Sequence, residues 1–259
     1  SRPNEGVFTA WVFDVGQGTS VLLQTRQHAL LYDTGAGFRN GGSVAQYSVI
    51  PALRAMGVQR IDRVVVSHAD NDHAGGYPAI QAAFAVQRTE SGSAPWRRRF
   101  RAQACRNGQR WTWDGVQFEY IQPARVAVDS ENNRSCVLLV RSANCALLLP
   151  GDIESAVERQ IVAAHPELSV DWLVAAHHGS RSSTDRYWLQ HLAPQEVLFS
   201  AGKGNRYGHP AAAVVARVEA RGSVWRSTAE AGAIQLTAGV DGCTSSAYRE
   251  QKRRYWSDG

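Results

Sequence analysis

Ser67-His68-Ala69-Asp70-Asn71-Asp72-His73-Ala74-Gly75-Gly76 sets two imidazoles and two carboxylates within six positions. The run follows Val64-Val65-Val66, which reads as a short buried strand, and leads into small residues that read as a helix through Phe84. Four metal-capable groups on one strand-to-helix turn can point into one space and offer ligands to two ions, as a binuclear hydrolytic centre requires. Packing does not explain them, because unpaired charge is costly to bury.

Working outward, strands are expected within Val7–Val15, Ser20–Gln24 and Ala29–Tyr32, then a helix over Val44–Met56 despite Pro51, stopped by Gly57. Asp114-Gly115 marks a hairpin between Arg110–Trp113 and Val116–Ile121, and a second hairpin joins Cys136–Val140 to Ala146–Leu149. Trp96–Arg110 reads as polar, basic and irregular. After Gly151-Asp152 the pattern alternates strand and helix. His177-His178-Gly179-Ser180 follows one strand, and Ala201 to Pro210, with Lys203 and His209, follows the next. Polar candidates thus recur where strands end, on the rim of a sheet core. The order predicts two face-to-face sheets with helices outside.

The 259 residues are 44% hydrophobic and 20% charged, an ordinary globular composition, with no linker or repeat. A single domain over 1–259 is expected, its core about 7–236 and its last part, 240–259, a tail. No apolar run reaches the roughly 18 residues a membrane-spanning helix needs, and Ser1-Arg2-Pro3-Asn4-Glu5 lacks a signal-peptide core. Net charge is +5, carried almost wholly by Arg, with Lys203 and Lys252 the only lysines. Trp96-Arg97-Arg98-Arg99-Phe100-Arg101, and Arg249 with Lys252-Arg253-Arg254-Tyr255-Trp256, interleave cations with aromatics, which suits a nucleic-acid strand or simply a solvated surface. Cys105, Cys136, Cys145 and Cys243 lack zinc-knuckle spacing, and buried free thiols are the default reading.

His68-x-Asp70-x-Asp72-His73-x-Gly75-Gly76, then Gly151-Asp152, His178 and His209, resembles the metallo-β-lactamase superfamily. Phe13-Asp14-Val15-Gly16-Gln17-Gly18, Tyr32-Asp33-Thr34-Gly35, Asn132-Asn133-Arg134-Ser135, Leu149-Pro150-Gly151-Asp152-Ile153-Glu154, Ala176-His177-His178-Gly179-Ser180 and Asn205-Arg206-Tyr207-Gly208-His209-Pro210 narrow the resemblance. They look like the C-terminal domain of ComEC-type DNA-uptake channels, over about Val7 to Leu236. The resemblance implies an α/β fold, an αββα sandwich of two mixed sheets with helices on the outer faces. It implies two divalent metal ions: His68 and Asp70 on one, Asp72, His73 and His209 on the other, and Asp152 bridging. His178 or His177 then falls near the leaving group, Lys203 near a phosphate, and Arg97, Arg98, Arg99, Arg101 and Arg206 along the DNA.

Two departures from the family pattern stand out. Asp70 replaces a histidine, and the Asn132-Asn133 segment stands where a further histidine is expected. Asn132 is the candidate oxygen donor, and a turn-shaping role for both is the alternative. Oxygen donors favour manganese or magnesium over zinc, and manganese is the expectation. Asp14 and Asp33 read as turn residues bonding main chain. The implied function is DNA phosphodiester hydrolysis, degrading the non-transported strand during competence uptake. The domain would be a periplasmic or outward-facing part of an inner-membrane protein, with the rest of the channel as partner and no organic cofactor. Alternatives are another hydrolase of the same fold, acting on a thioester, lactam or small phosphodiester, and a non-catalytic DNA-guiding module.

Overall fold

The computed structural model describes residues 2–126 and 128–249. The basic cluster at Lys252-Arg253-Arg254 lies outside the described residues. The first strands are β1 (Phe8–Val12), β2 (Val21–Gln24), β3 (Ala29–Tyr32), β4 (Arg60–Ile61), β5 (Arg63–Val66), β6 (Ala85–Val86), β7 (Thr89–Ser91) and β8 (Gln103–Ala104). Then come β9 (Arg110–Trp113), β10 (Val116–Tyr120), β11 (Leu138–Arg141), β12 (Ala146–Leu149), β13 (Trp172–Val174) and β14 (Glu196–Phe199). The last three are β15 (Val224–Ser227), β16 (Ile234–Gly239) and β17 (Gly242–Ala247).

Eight strands form one mixed sheet in the order β17-β16-β1-β2-β3-β5-β7-β8, and seven form the other, β15-β14-β13-β12-β11-β10-β9. The period-2 pattern of the strands sets the layers. Val65 on β5 joins Phe8, Leu23, Tyr32, Phe118, Leu138, Leu147 and Leu198 in the core between the sheets. Val64 and Val66 face the other way, packing with Leu53, Tyr77, Ile80 and Trp96 from the helices over the eight-stranded sheet. Ile153, Val157, Ile161, Trp188, Val214 and Val218 cover the outer face of the second sheet. The result is the four-layer αββα sandwich that the resemblance implies.

Several local expectations hold. Asp114 and Gly115 both take left-handed backbone (φ 48° and 79°), the pairing a tight hairpin needs between β9 and β10. The expected helix forms as a π-helical turn, Ala45–Val49, running directly into the α-helix Ile50–Ala55, and Pro51 sits just past that change of helix type. The helix expected after the motif is two, Asn71–Ala74 and Tyr77–Ala83, parted by Gly75-Gly76. At Gly76 a Cβ would lie 2.2 Å from the Thr34 carbonyl oxygen, so this close approach demands glycine.

Three expectations are corrected. Trp96–Arg110 is not irregular throughout: Ala94–Phe100 is a helix, because Trp96 and Phe100, one turn apart, pack edge-on against Tyr77. Part of the expected tail is strand β17, which pairs along the whole of β16. The cysteines are not free: Cys105–Cys136 and Cys145–Cys243 are disulfides. Cys105 follows β8 and Cys243 lies in β17, the two edge strands of the larger sheet, while their partners lead into β11 and β12 of the smaller one. Both edges of one sheet are thereby stitched to its neighbour.

Candidate metal centre

The candidate side chains gather at the carboxyl ends of β3, β5, β12, β13 and β14, where the two sheets open onto a common rim. β5 runs parallel to β3, and β13 lies parallel between β12 and β14, so their ends fall together. Parallel α/β strands place ligand sites at these ends. Ser67 and His68 follow β5, Asp152 follows β12, His177 and His178 follow β13, and His209 ends the long turn after β14. His177 and His178 both adopt left-handed backbone (φ 53° and 54°). Such a conformation costs about 1 kcal/mol or more per non-glycine residue and clusters at functional sites. It turns His178 inward, where it is buried, and leaves His177 partly exposed.

Three imidazoles are held by their Nδ1 atoms. His178 Nδ1 donates to the Ser200 carbonyl at 2.9 Å. His73 Nδ1 lies 2.7 Å from Asp33 Oδ2. Ser67 donates to that carboxylate from both its main-chain N–H and its hydroxyl. With the Ser67 proton so committed, its oxygen, 3.0 Å from His68 Nδ1, accepts from that ring. A second hydroxyl, Ser135 Oγ, donates to the Asn132 carbonyl and accepts from the Asp152 N–H. These contacts orient the three rings and aim their Nε2 atoms at one another.

The convergence is close. His73 Nε2 is 3.1 Å from His178 Nε2 and 3.1 Å from Asp152 Oδ1. Asp72 Oδ2 is 3.2 Å from His178 Nε2, and Asp70 Oδ2 is 3.6 Å from His68 Nε2. His68 Nε2 is buried with no hydrogen-bond partner. At this rim, among the described residues, two sets have ligand atoms close enough to share an ion: His68, His73 and Asp152, and Asp72, His73 and His178. Three imidazole Nε2 atoms facing one another beside two carboxylates form a donor set that a cation can occupy. The electrostatics agree. Burial pushes the Asp72 carboxyl up, but His178 and His73 outweigh it and hold it at about 2. Burial likewise opposes, and His73 and His178 overcome, to hold Asp152 well below the usual carboxylate range. His73 is raised well above an ordinary histidine: burial works against its charge, and Asp152 and Asp33 prevail. The residues present fit divalent metal.

The remaining candidates fall elsewhere. The geometry puts His178, not His209, with Asp72 and His73; the rings of His178 and His209 are 6.4 Å apart, and His209 belongs to neither three-ligand set among the described residues. The physical reason is that His209 lies at the end of a nine-residue excursion from β14, while the left-handed turn brings His178 straight inward. Asn132 reaches His68 only through its carbonyl and Ser135, and Asn133 ties its own loop to Glu154. Asp33, read from sequence as a turn residue, instead orients His73. Arg97 is not a free cation, since its guanidinium donates to the Ser91 and Gly92 carbonyls. Arg98, Arg99 and Arg101 are exposed, as are Lys203 and Arg206. Lys203 and His209 line a groove of about 1030 Å³ together with Trp225, Arg226 and Arg249.

Residues 13–190 match the metallo-beta-lactamase superfamily model. The chain is 37% identical over 256 residues to competence protein ComA of Neisseria gonorrhoeae, covering 98% of this chain and 35% of the relative. It is 33% identical to recombination protein 2 of Haemophilus influenzae, covering 91% of this chain and 29% of that one. The chain thus spans about a third of the length of these curated relatives. Among solved structures, the metallo-beta-lactamase fold protein YhfI from Bacillus subtilis superposes with a TM-score of 0.56 at 12% identity, over 85% of this chain and 95% of that one. With its sandwich, its rim of imidazoles and carboxylates and this match, the chain belongs to the metallo-β-lactamase superfamily and is similar along almost its whole length to competence proteins.

Proposed function

We propose that this domain is a metal-dependent nuclease that hydrolyses DNA phosphodiesters, degrading the strand not carried inward during DNA uptake. The observation that carries the reading is the convergence of three Nδ1-pinned imidazoles on Asp72 and Asp152. His68, His73 and Asp152, with Asp70 beside His68, would hold one divalent ion, and Asp72, His73 and His178 would hold the other. When bound, two such ions supply an activated water and neutralise developing phosphoryl charge. Asp33 keeps the His73 ring aligned for ligation. His209, left outside the ligand sets and beside His177, takes the position near the leaving group, where an imidazole can hand over a proton. Lys203, on the same groove, attracts the phosphate backbone, and Arg98, Arg99 and Arg101 extend the positive surface. Asp70, where an imidazole is usual, makes the set oxygen-rich and favours manganese.

The competence relatives support DNA as substrate and the remainder of a channel as partner. Two disulfides suit an oxidising compartment, hence a periplasmic or outward-facing domain. Among the described residues no helix is long and apolar enough to cross a membrane. The test is cleavage of labelled single- and double-stranded DNA in magnesium, manganese and zinc, with His73→Ala alongside. Metal-dependent cleavage lost in the variant is expected. Cleavage that persists in it, or hydrolysis of nitrocefin with none of DNA, overturns the reading.

A further inference from the structure

The turn after β14 presents an aromatic ring that the metal chemistry does not use. Asn205 holds this turn closed: its Oδ1 accepts the N–H groups of Tyr207 and His209, and its Nδ2 donates to the Gly202 carbonyl. Gly204 and Gly208, at φ 61° and 66°, make the bends on either side. Pinned in this way, Tyr207 stands 54% exposed. Its ring lies 5.7 Å from that of His209 and within 25° of parallel. His209 in turn lies within 26° of parallel to the inward His178. The Arg206 guanidinium sits 4.8 Å from the Tyr207 centroid and donates to its hydroxyl. A row of flat groups therefore leads from the metal centre to the surface and ends in a rigid, cation-flanked aromatic face.

We propose that Tyr207 is a base-stacking platform that seats an unpaired nucleotide beside the scissile phosphate and so selects single-stranded DNA. This rests on the nuclease reading above. A tyrosine in water gains nothing from exposure, and a core role is excluded by its position. A nucleobase offers the complementary flat surface, stacks on aromatic rings without regard to sequence, and gains further from a neighbouring arginine. Within a duplex both faces of each base are already stacked, so the platform has value only for a strand that is open. Arg206, which steadies the ring, and Lys203, three residues earlier on the groove, give the backbone its positive neighbours.

Steady-state cleavage in manganese, on an oligothymidylate and on a duplex of equal length, tests this. For Tyr207→Ala, KM on the single strand should rise about tenfold, the usual size of one lost base–aromatic stack, with kcat and duplex cleavage little changed. Tyr207→Phe, which keeps the ring, should behave as wild type. A strand of the same length made of abasic sugars should bind wild type and Tyr207→Ala equally. An unchanged KM in Tyr207→Ala, or equal damage in Tyr207→Phe, overturns the stacking role while leaving the nuclease intact. Absence of any metal-dependent cleavage by wild type defeats the nuclease reading itself, and this one with it.

Discussion

The two ends of β5 carry two buried charged clusters built on opposite logic. At its start, Glu90 gathers donors from four side chains: Arg63, Arg88, Gln109 and Tyr120. The Arg63 guanidinium lies 3.6 Å over Trp111. The carboxylate there is closed by the protein's own cations and hydroxyl. At the other end, His68, His73 and His178 turn their Nε2 atoms toward one another and toward Asp72 and Asp152, and His68 Nε2 has no hydrogen-bond partner among the described residues. A closed cluster adds to the fold. An open one is completed by something that arrives from outside, and Val64–Val66 of β5 separate the two.

Substitutions can break or sharpen that contrast. The largest expected effect is at the open end. Asp152→Ala removes a carboxylate ligand and should lower metal-dependent hydrolysis by about 10³-fold or more, read by turnover, while circular dichroism shows the fold retained. At the closed end the outcome should invert. Glu90→Ala strands the buried Arg63 and should cost about 3–5 kcal/mol of stability, measured by urea unfolding, without altering metal stoichiometry. Metal lost along with stability there would show that the two ends are one unit.

Next in size is Asp33→Asn, which leaves all ligands in place but weakens the hold on His73. Metal affinity should fall about 10–100-fold by isothermal titration, and unchanged affinity would reduce Asp33 to a turn residue. The shallowest effect, spread over several pH units, concerns Glu158, outside both clusters. Burial pushes its carboxyl up to about 8, against the pull of the Thr184 and Asp185 N–H groups. Because the folded value is raised above the ordinary 4.5, this group's stabilisation is complete below that value and is lost as pH rises toward 8. Its slope can reach at most about 1.4 kcal/mol per pH unit. Glu158→Gln should flatten thermal stability across that window.

Legibility in the sequence followed contact distance along the chain. The motif turn, Asp152 and the strand–turn rhythm were readable because each is a short contiguous string. That His178 rather than His209 stands beside Asp72 and His73 was not: both lie in Gly-containing turns after parallel strands, and the left-handed backbone at 177–178 with the His178 bond to Ser200 turns His178 inward. Asp33 reads as a turn residue until its contacts with Ser67 and His73, 34 and 40 positions away, are known. Arg97 resembles a surface cation because Trp96 and Phe100 announce a helix only once Tyr77 lies beneath them. The disulfides join residues 31 and 98 positions apart, which spacing alone cannot pair.

Those two cross-links also set how this domain answers a pull. The Cys145–Cys243 bridge encloses 98 positions and Cys105–Cys136 another 31, with no overlap. At about 3.4 Å of extension per residue, they withhold roughly 440 Å of contour length from any force applied at the chain ends. The enclosed part between 145 and 243 holds Asp152, His177, His178 and the whole Tyr207 turn. Under such a pull, about half of the chain is unable to pay out.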